Sequence, residues 1–255
     1  MSDPGALTGL TALVTGGGSG IGRSIALMLA DRGCRVFIVG RRGEALAQTV
    51  DLEPHGRITP IAADIREPEQ VDATLDQVLG LVDGIDVLVN NAGGQFVAQA
   101  EQISHKGFRA VTRLNLDATW YLSTQVAARS MLPRGFGKVI CITMTPRRGM
   151  PGMSHSSAAR AAVESLVRTW AVEWGRRGVR TVAIAPGIVH TEAIEKYGLD
   201  PAQMSSAIPL GRLQRPEEIA ELVCFLAGPG GDYVTGTTIV IDGGLDVSGP
   251  HPLSS

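Results

Sequence analysis

The chain has 255 residues, of which 44% are hydrophobic and 19% charged, which suits one α/β domain with its own core. The net charge of -2, without long runs of one sign, argues against a nucleic-acid partner and against a basic membrane-binding patch. Three widely spaced cysteines predict buried free thiols and no metal site, and the lack of an apolar signal core or bilayer-length apolar run predicts a cytoplasmic protein.

Seven short β-branched runs alternate with longer helical patterns along the chain. We predict strands at 11–15, 35–40, 57–63, 86–90, 138–143, 180–185 and 237–242. We predict helices at about 20–32, 43–52, 67–80, 102–131, 155–177 and 215–227. The strands are largely apolar on both faces, as buried parallel strands are. The alternation therefore predicts one doubly wound α/β domain over residues 1–255, with about seven parallel strands and helices on both faces.

The segment TGGGSGIG follows the first predicted strand and opens the first predicted helix. Gly16, Gly20 and Gly22 have the spacing G-x3-G-x-G. Glycines permit positive φ and let the backbone approach a pyrophosphate, while a helix N-terminus offers free N–H groups and a positive dipole end. Because a strand and a helix flank the glycines as this motif requires, the segment predicts a dinucleotide site.

The second predicted strand ends in VGRRGEAL, where an NAD site carries a carboxylate for the ribose hydroxyls. Gly40 is followed instead by Arg41 and Arg42. A carboxylate would repel a 2′-phosphate, whereas arginine donates a fork of hydrogen bonds to it. We therefore expect NADP(H). The alternative is a solvated arginine pair at a helix start, where positive charge opposes the helix dipole.

The stretch 187–210 is polar and turn-rich, and it follows the end of a predicted strand. Ligands of doubly wound sheets bind beyond the carboxyl ends of the strands. The stretch is therefore a candidate substrate lid, with a long surface loop as the alternative. Arg147 and Arg148 follow another strand end and can bind the phosphates of a CoA tail or remain solvated.

These motifs resemble the short-chain dehydrogenase/reductase family, and the resemblance covers nearly the whole chain. ADI at 63–65, NNAG at 90–93 and APG at 185–187 match further family segments. The resemblance implies a Rossmann domain with a nicotinamide cofactor. The cofactor-binding residues that it implies, together with the glycine turn and the arginine pair, are Gly16, Gly18, Ser19, Gly20, Ile21, Gly22, Arg41, Arg42, Asp64, Ile65, Asn91, Ala92, Gly93, Arg160, Pro186, Gly187, Ile188 and Thr191.

The chain departs from the family's usual catalysts, a Ser, a Tyr and a Lys. By resemblance, the Ser position holds Thr143, the Tyr position Ser156 and the Lys position Arg160, while Asn115 falls at the active-site asparagine. A phenol has a pKa of about 10, and an aliphatic alcohol is a far weaker acid. A guanidinium stays charged and relays no proton. Ordinary ketone reduction, which leaves an alkoxide in need of a proton, is therefore disfavoured.

Reduction of an enoyl thioester needs hydrogen-bond donors rather than a strong acid. Hydride adds to Cβ and charge collects on the thioester oxygen, to which Thr143 and Ser156, with Asn115 or a water, can donate. Arg160 lies one helical turn past Ser156 and can hold the nicotinamide ribose hydroxyls. NNAGGQF, HSSAARAAV and KYG resemble the trans-2-enoyl-CoA reductases of the peroxisomal type, members of which can offer a tyrosine where this chain has Glu164. The similar 2,4-dienoyl-CoA reductases keep the lysine, so we rank the enoyl thioester first.

Each candidate also has a structural interpretation. Ser156 can be a helix N-cap, Arg160 can pair with Glu164 four residues on, and Thr143 is of a type common at the end of a buried strand. His155 can protonate the α-carbon or be purely structural. Rival functions are a carbonyl reductase or alcohol dehydrogenase in which water or His155 replaces the tyrosine, and a family member that binds NADPH without turnover.

The predicted helix 155–177 carries small residues on one side and large apolar residues on another, and a helix apolar on more than one face buries both. The large residues are Val163, Leu166, Val167, Trp170 and Trp174. In the family that this chain resembles, the corresponding helix pairs with a second subunit. We therefore expect a homodimer or homotetramer.

Overall fold

A computed structural model describes residues 5–145, 149–192 and 200–248. Seven parallel strands form one sheet in the order β3-β2-β1-β4-β5-β6-β7. The strands are β1 (Thr11–Thr15), β2 (Arg35–Gly40), β3 (Ile58–Ala62), β4 (Val87–Asn90), β5 (Gly137–Ile142), β6 (Val179–Pro186) and β7 (Thr237–Ile241). This topology confirms the predicted doubly wound Rossmann arrangement. The arrangement was predictable because buried parallel strands are apolar on both faces and can be recognised in the sequence.

Helices cover both faces of this sheet. They are α1 (Gly20–Asp31), α2 (Gly43–Asp51), α3 (Pro68–Leu79), α4 (His105–Thr112), α5 (Ala118–Val126), α6 (Leu132–Arg134), α7 (Ser154–Trp174), α8 (Pro201–Ser206) and α9 (Pro216–Ala227). Two π-helical turns, Arg113–Asp117 and Ala127–Met131, join α4 to α5 and α5 to α6. The helix predicted from residue 102 begins at His105, because Ser104 caps it by accepting the N–H of Gly107 at 3.0 Å.

The core lies in two layers, one on each face of the sheet. Val14 packs in one layer with Ile25 of α1 and Val223 of α9. Its neighbour Leu13 points to the other layer, which contains Val167 of α7. Full burial of each large apolar side chain contributes about 1.5–3 kcal/mol, so both layers hold the helices firmly against the strands.

Most of the large apolar residues of α7 pack within their own chain. Val163, Val167, Trp170 and Trp174 are buried in the second core layer, where the two indole rings stack with centroids 5.1 Å apart. Val172, on the same helix, is 84% exposed. One apolar face of α7 is therefore buried within the chain, while Val172 lies on its exposed side.

The sheet order places a crevice at the carboxyl end of β1. This strand pairs with β2 on one side and β4 on the other, so the connections that follow β1 and β4 diverge to opposite sides. Such a switch point is where ligands of open α/β sheets bind. All three cysteines are buried free thiols, as expected. Within the described ranges, no helix combines the length and apolarity needed to cross a membrane.

Candidate active site

The turn between β1 and α1 depends on glycine. Gly16 and Gly20 have φ of 69° and 51°, the left-handed region that side chains disfavour. A Cβ at Gly22 would overlap the Gly16 carbonyl oxygen and the Asn91 amide. Only glycine at these positions lets the backbone turn this tightly, and the first N–H groups of α1 are consequently brought to the edge of the sheet.

The end of β4 supports this turn. Asn91 donates its side-chain amide to the Thr15 carbonyl at 2.9 Å. The backbone N–H groups of Asn91 and Ala92 both donate to the Thr15 hydroxyl at 3.0 Å. The NNAG segment thus fixes the glycine turn from the neighbouring strand, which is a structural reason for the match seen in the sequence.

A cavity of about 270 Å³ opens beside the glycine turn. The predicted cofactor residues along it are Gly16, Gly18, Ser19, Arg41, Arg42, Asp64, Ile65, Asn91, Ala92 and Gly93. Both arginines are exposed, and the Arg42 guanidinium lies 3.5 Å from the Ser19 hydroxyl. A glycine cradle that no Cβ can enter, the N-terminus of α1 and an arginine pair fit the pyrophosphate and adenosine part of a dinucleotide.

The Asp64 side chain is held by Arg66, a contact that the motifs in the sequence did not predict. Arg66 donates to both of its carboxylate oxygens, with Nε 2.9 Å from Oδ1. This hydrogen bond holds the pKa of Asp64 below its usual value, with a smaller contribution from the positive charge of Arg41. The carboxylate is therefore kept ionised and fixed in direction at the wall of the first cavity.

A second cavity, of about 580 Å³, continues from the first along the carboxyl ends of β5 and β6. Its wall includes Gly93, Arg160, Pro186, Gly187, Ile188, Thr191 and Ile21 from the predicted cofactor set. Its other residues are mainly apolar, with Phe96, Val97, Met144, Met150, Met153 and Met204 among them. The second cavity, called the chamber below, therefore has predicted cofactor residues on one side and an apolar wall that suits a flexible apolar group on the other.

Arg160 lies in the wall of the second cavity, beside Gly93, which lines both cavities. Its guanidinium donates to the Ile142 carbonyl at 2.7 Å, where β5 ends, and packs so closely on Gly93 that a Cβ there would overlap it. Burial lowers the pKa of Arg160 to about 10, which still leaves it charged near neutral pH. Glu164, the alternative partner, accepts from the Thr143 hydroxyl at 3.2 Å.

Ser156 lies in a network of amide groups. Its hydroxyl donates to Oε1 of Gln95 at 3.1 Å, and the Asn115 amide reaches it at 3.5 Å. The same Asn115 side chain accepts the N–H of Gly94 at 2.9 Å and donates to the Gly94 carbonyl at 3.0 Å. Ser156 is wholly buried and lies inside α7, whose N-cap is Met153, so the interpretation of Ser156 as the helix N-cap is wrong.

Thr143 does not take the place beside Ser156 that its alignment with the family serine suggests. Its hydroxyl is held by Glu164 and by the Ile184 carbonyl at 3.1 Å. The next residue, Met144, contacts the Ser156 hydroxyl through sulfur at 3.6 Å. Successive residues of an extended segment point to opposite sides, so the shift by one residue exchanges a hydroxyl for a thioether at this position.

His155 is buried and contacts both Ser156 and Phe96. Its Nδ1 accepts the backbone N–H of Ser156 at 2.8 Å, which requires an unprotonated Nδ1. The buried ring packs at right angles to Phe96, with centroids 4.3 Å apart. The ring therefore orients the start of α7 and the Phe96 segment, an arrangement that favours the structural interpretation of this histidine over proton delivery to the α-carbon.

The segment after β6 closes one side of the chamber. Gly187 donates its N–H to the Ile241 carbonyl at 3.1 Å, and a Cβ there would stand 2.8 Å from Asp242 Cα. Thr191 lies over Gly20 at the start of α1. The candidate lid is described at 187–192 and 200–210, where α8 contributes Met204 to the chamber wall. The KYG motif, Arg147 and Arg148 lie outside the described residues.

Gln95, Met144 and Arg66 are site residues that motif spacing did not select. Gln95 stands out in the sequence only as part of GGQF, although its position just after β4 places it at the carboxyl edge of the sheet. The fold, the glycine turn and the two adjoining cavities define a dinucleotide-binding protein of the doubly wound class.

Comparison with known proteins narrows this class. The family profile described as "Enoyl-(Acyl carrier protein) reductase" matches residues 16–246. A probable 2,4-dienoyl-CoA reductase of Bacillus subtilis is 36% identical, covering 94% of this chain and 97% of its own. A 3-oxoacyl-acyl-carrier-protein reductase of Thermotoga maritima is 33% identical, with coverages of 94% and 98%. The chain belongs to the short-chain dehydrogenase/reductase family.

Solved structures agree with this assignment. A citronellol catabolism dehydrogenase of Pseudomonas aeruginosa superimposes with a TM-score of 0.87 at 40% identity, covering 96% of this chain and 98% of its own. A 3-ketoacyl-acyl-carrier-protein reductase of Brucella melitensis, complexed with NADH, gives 0.89 at 27% identity, with coverages of 94% and 99%. Family and fold together indicate an oxidoreductase that uses a nicotinamide cofactor.

Proposed function

We propose that the protein is an NADPH-dependent reductase of an activated carbon–carbon double bond, with a trans-2-enoyl-CoA thioester as substrate. One observation carries the proposal. Ser156, which by sequence resemblance stands at the position of the family's tyrosine, is hydrogen-bonded through its hydroxyl to the amides of Gln95 and Asn115. Such a network donates hydrogen bonds to an oxygen but supplies no strong acid, and this is the requirement of an enolate rather than of an alkoxide.

The chemistry of the reaction fits these residues. When bound, the reduced nicotinamide supplies a hydride that forms the new C–H bond at Cβ. The electron pair of the double bond moves toward the thioester oxygen, which the amide network around Ser156 binds. A proton from water completes Cα and gives the saturated thioester. The charged Arg160, held by its hydrogen bond to the Ile142 carbonyl, adds positive potential and N–H donors for the ribose hydroxyls of the cofactor.

The arginine pair supports NADPH as the cofactor. Arg41 and Arg42 line the adenosine end of the first cavity, and Ser19 adds a hydroxyl beside them. Planar guanidinium groups bind phosphate through paired hydrogen bonds, which an unphosphorylated ribose cannot use. A preference for NADPH over NADH is therefore part of the proposal.

The second cavity supports an acyl chain as the substrate's body. Four methionines, Met144, Met150, Met153 and Met204, line it together with Phe96. Unbranched thioether side chains adapt to flexible apolar ligands. Two relatives are named as reductases of acyl thioesters, one on CoA and one on a carrier protein, in keeping with this substrate class.

The test is a substrate panel of equal chain length with the purified protein. It measures NADPH oxidation with trans-2-hexenoyl-CoA, 2,4-hexadienoyl-CoA and 3-oxohexanoyl-CoA, and repeats each assay with NADH. We expect the highest kcat/KM with hexenoyl-CoA and NADPH. A higher value with the dienoyl thioester would move the assignment to the reaction for which the Bacillus relative is named. Turnover of the oxo compound alone, or of none, would refute double-bond reduction.

We further propose that the protein forms a homodimer or homotetramer through the exposed face of α7 and the edge strand β7. Val172 is 84% exposed on this helix and Val240 is 36% exposed on the strand. Burying these side chains against a second copy would remove apolar surface from water.

A cytoplasmic location is likewise a proposal, which cell fractionation tests.

A further inference from the structure

The cavity wall and the Ser156 network do not coincide. The residues that line the second cavity, within the described part of the chain, include Gln95 but neither Ser156 nor Asn115. Ser156 and Asn115 are both wholly buried, whereas Gln95 is exposed. The polar group of this network that reaches the chamber is therefore the side-chain amide of Gln95.

Gln95 is held on both sides along its own segment. Before it, Gly94 is clamped by the Asn115 amide through a donated and an accepted hydrogen bond. After it, the Phe96 ring packs against His155, which in turn binds the N–H of Ser156. With its neighbours fixed in this way, the Gln95 side chain loses little further freedom when it binds a ligand.

The Ser156 hydroxyl sets the direction of the Gln95 amide. It donates to Oε1, so the amide carbonyl faces the buried side of the network. The NH2 end of the same planar group carries two N–H donors. A neutral N–H donor suits an enolate oxygen, because it stabilises developing charge without transferring a proton.

We infer that Gln95 is a catalytic residue that donates a hydrogen bond to the thioester carbonyl oxygen, and that Ser156 and Asn115 are positioning residues that orient its amide. This inference rests on the proposed function for the nature of the substrate. It assigns the stabilising contact to a side chain from the loop after β4 rather than to the α7 serine.

The first arm of the test uses Gln95→Glu, which keeps the shape and the acceptor for Ser156 but removes the N–H donors. At about pH 8 the new side chain is a carboxylate, since glutamate has an ordinary pKa near 4.3. We expect kcat/KM for hexenoyl-CoA to fall about 100-fold, as when an oxyanion donor is removed. Toward about pH 5 the protonated fraction can donate again, so we expect at least about 10-fold recovery relative to the wild type.

Gln99→Glu is the matched control, because Gln99 is an exposed glutamine on the same loop that precedes a short 3-10 turn. Its kcat/KM and pH profile should equal those of the wild type. An equal loss in the control, or a Gln95→Glu variant with wild-type kcat/KM and a wild-type pH profile, would overturn the inference. The affinity for NADPH, measured by fluorescence titration, should be unchanged in both variants.

The second arm does not depend on turnover. It records the carbonyl infrared band of hexanoyl-CoA, labelled with carbon-13 at C1, bound to the protein with NADP+. Hydrogen bonding to this oxygen lowers the band in the wild type, and Gln95→Glu at about pH 8 should return it toward the free thioester. A lowered band in a wild type that reduces no enoyl thioester would refute the proposed function and keep the Gln95 assignment. A band that does not respond to the substitution would overturn the assignment.

Discussion

Replacing Ser156 by alanine separates the buried hydroxyl from the rest of the site. In the structure this hydroxyl makes one short hydrogen bond, to Gln95 at 3.1 Å, and two longer contacts, to the Asn115 amide at 3.5 Å and to the Met144 sulfur at 3.6 Å. Asn115 keeps both hydrogen bonds to Gly94, so the substitution leaves its amide partnered. We therefore expect a stability loss of about 1 kcal/mol, the net value of one neutral hydrogen bond.

The effect on turnover should be larger than the effect on stability. Without Ser156 the Gln95 amide loses the hydrogen bond to its Oε1, and we expect kcat for hexenoyl-CoA to fall about 10- to 100-fold. This range corresponds to about 1.4–2.7 kcal/mol in the activation barrier. NADPH affinity should stay within about twofold, because the predicted contacts of the cofactor lie on other residues. Steady-state kinetics and cofactor titration measure the two effects.

Ser157→Ala is the matched control. The Ser157 hydroxyl is also buried but has no hydrogen-bond partner within the described residues, so its removal should leave kcat unchanged and stability equal or higher. If Ser156→Ala retains full kcat, or if both variants lose kcat equally, the positioning role is refuted. The double variant with Gln95→Ala adds a second check, since residues in contact should show effects that do not add.

Three further predictions concern the cofactor, stability and assembly. Arg41→Asp should lower the NADPH-to-NADH ratio of kcat/KM by about 10-fold or more, whereas Arg176→Asp, an exposed charge reversal at the amino end of β6, should not change it. Glu218 has its pKa lowered to about 2, first by hydrogen bonding to Arg212, so its stabilisation is present above about pH 4.5 and is lost as the pH falls toward 2. Glu218→Gln should therefore reduce Tm at neutral pH, with the difference from the wild type vanishing across this acidic range; a constant difference in thermal melts would contradict the role of the Arg212 hydrogen bond. Val172→Arg should shift light scattering toward smaller assemblies without reducing Tm of the dilute protein, and an unchanged mass would exclude this face.

The sheet was predictable because its strands are buried on both faces. Each observed strand begins and ends within one residue of its predicted bounds. The glycine turn was equally predictable, since Gly16, Gly20 and Gly22 occupy positions where a Cβ is strained or overlaps its surroundings. Local sequence controls both features, through side-chain burial in the first case and backbone conformation in the second.

The catalytic side chains were less predictable, because their directions depend on contacts between distant segments. Thr143 and Met144 differ by one position, yet one binds Glu164 and the other contacts Ser156. The Ser156 hydroxyl is hydrogen-bonded to Gln95, which is 61 positions earlier in the chain. Motif spacing identifies the segment that enters a site, whereas it does not determine which of two adjacent side chains contacts Ser156 there.

The π-helical turn at Arg113–Asp117 has a consequence for how this helix can change in evolution. Each residue of an α-helix advances about 100° around the axis, so one additional residue in a wide turn resets the angular phase of everything that follows. Asn115 lies inside this turn, and α5 beyond it places Leu122 and Val126 on the sheet. Deleting a single residue from this turn would rotate those side chains away from the core. The asparagine and the packing of α5 are thus linked by residue count, so a change in length at this turn would disturb both at once.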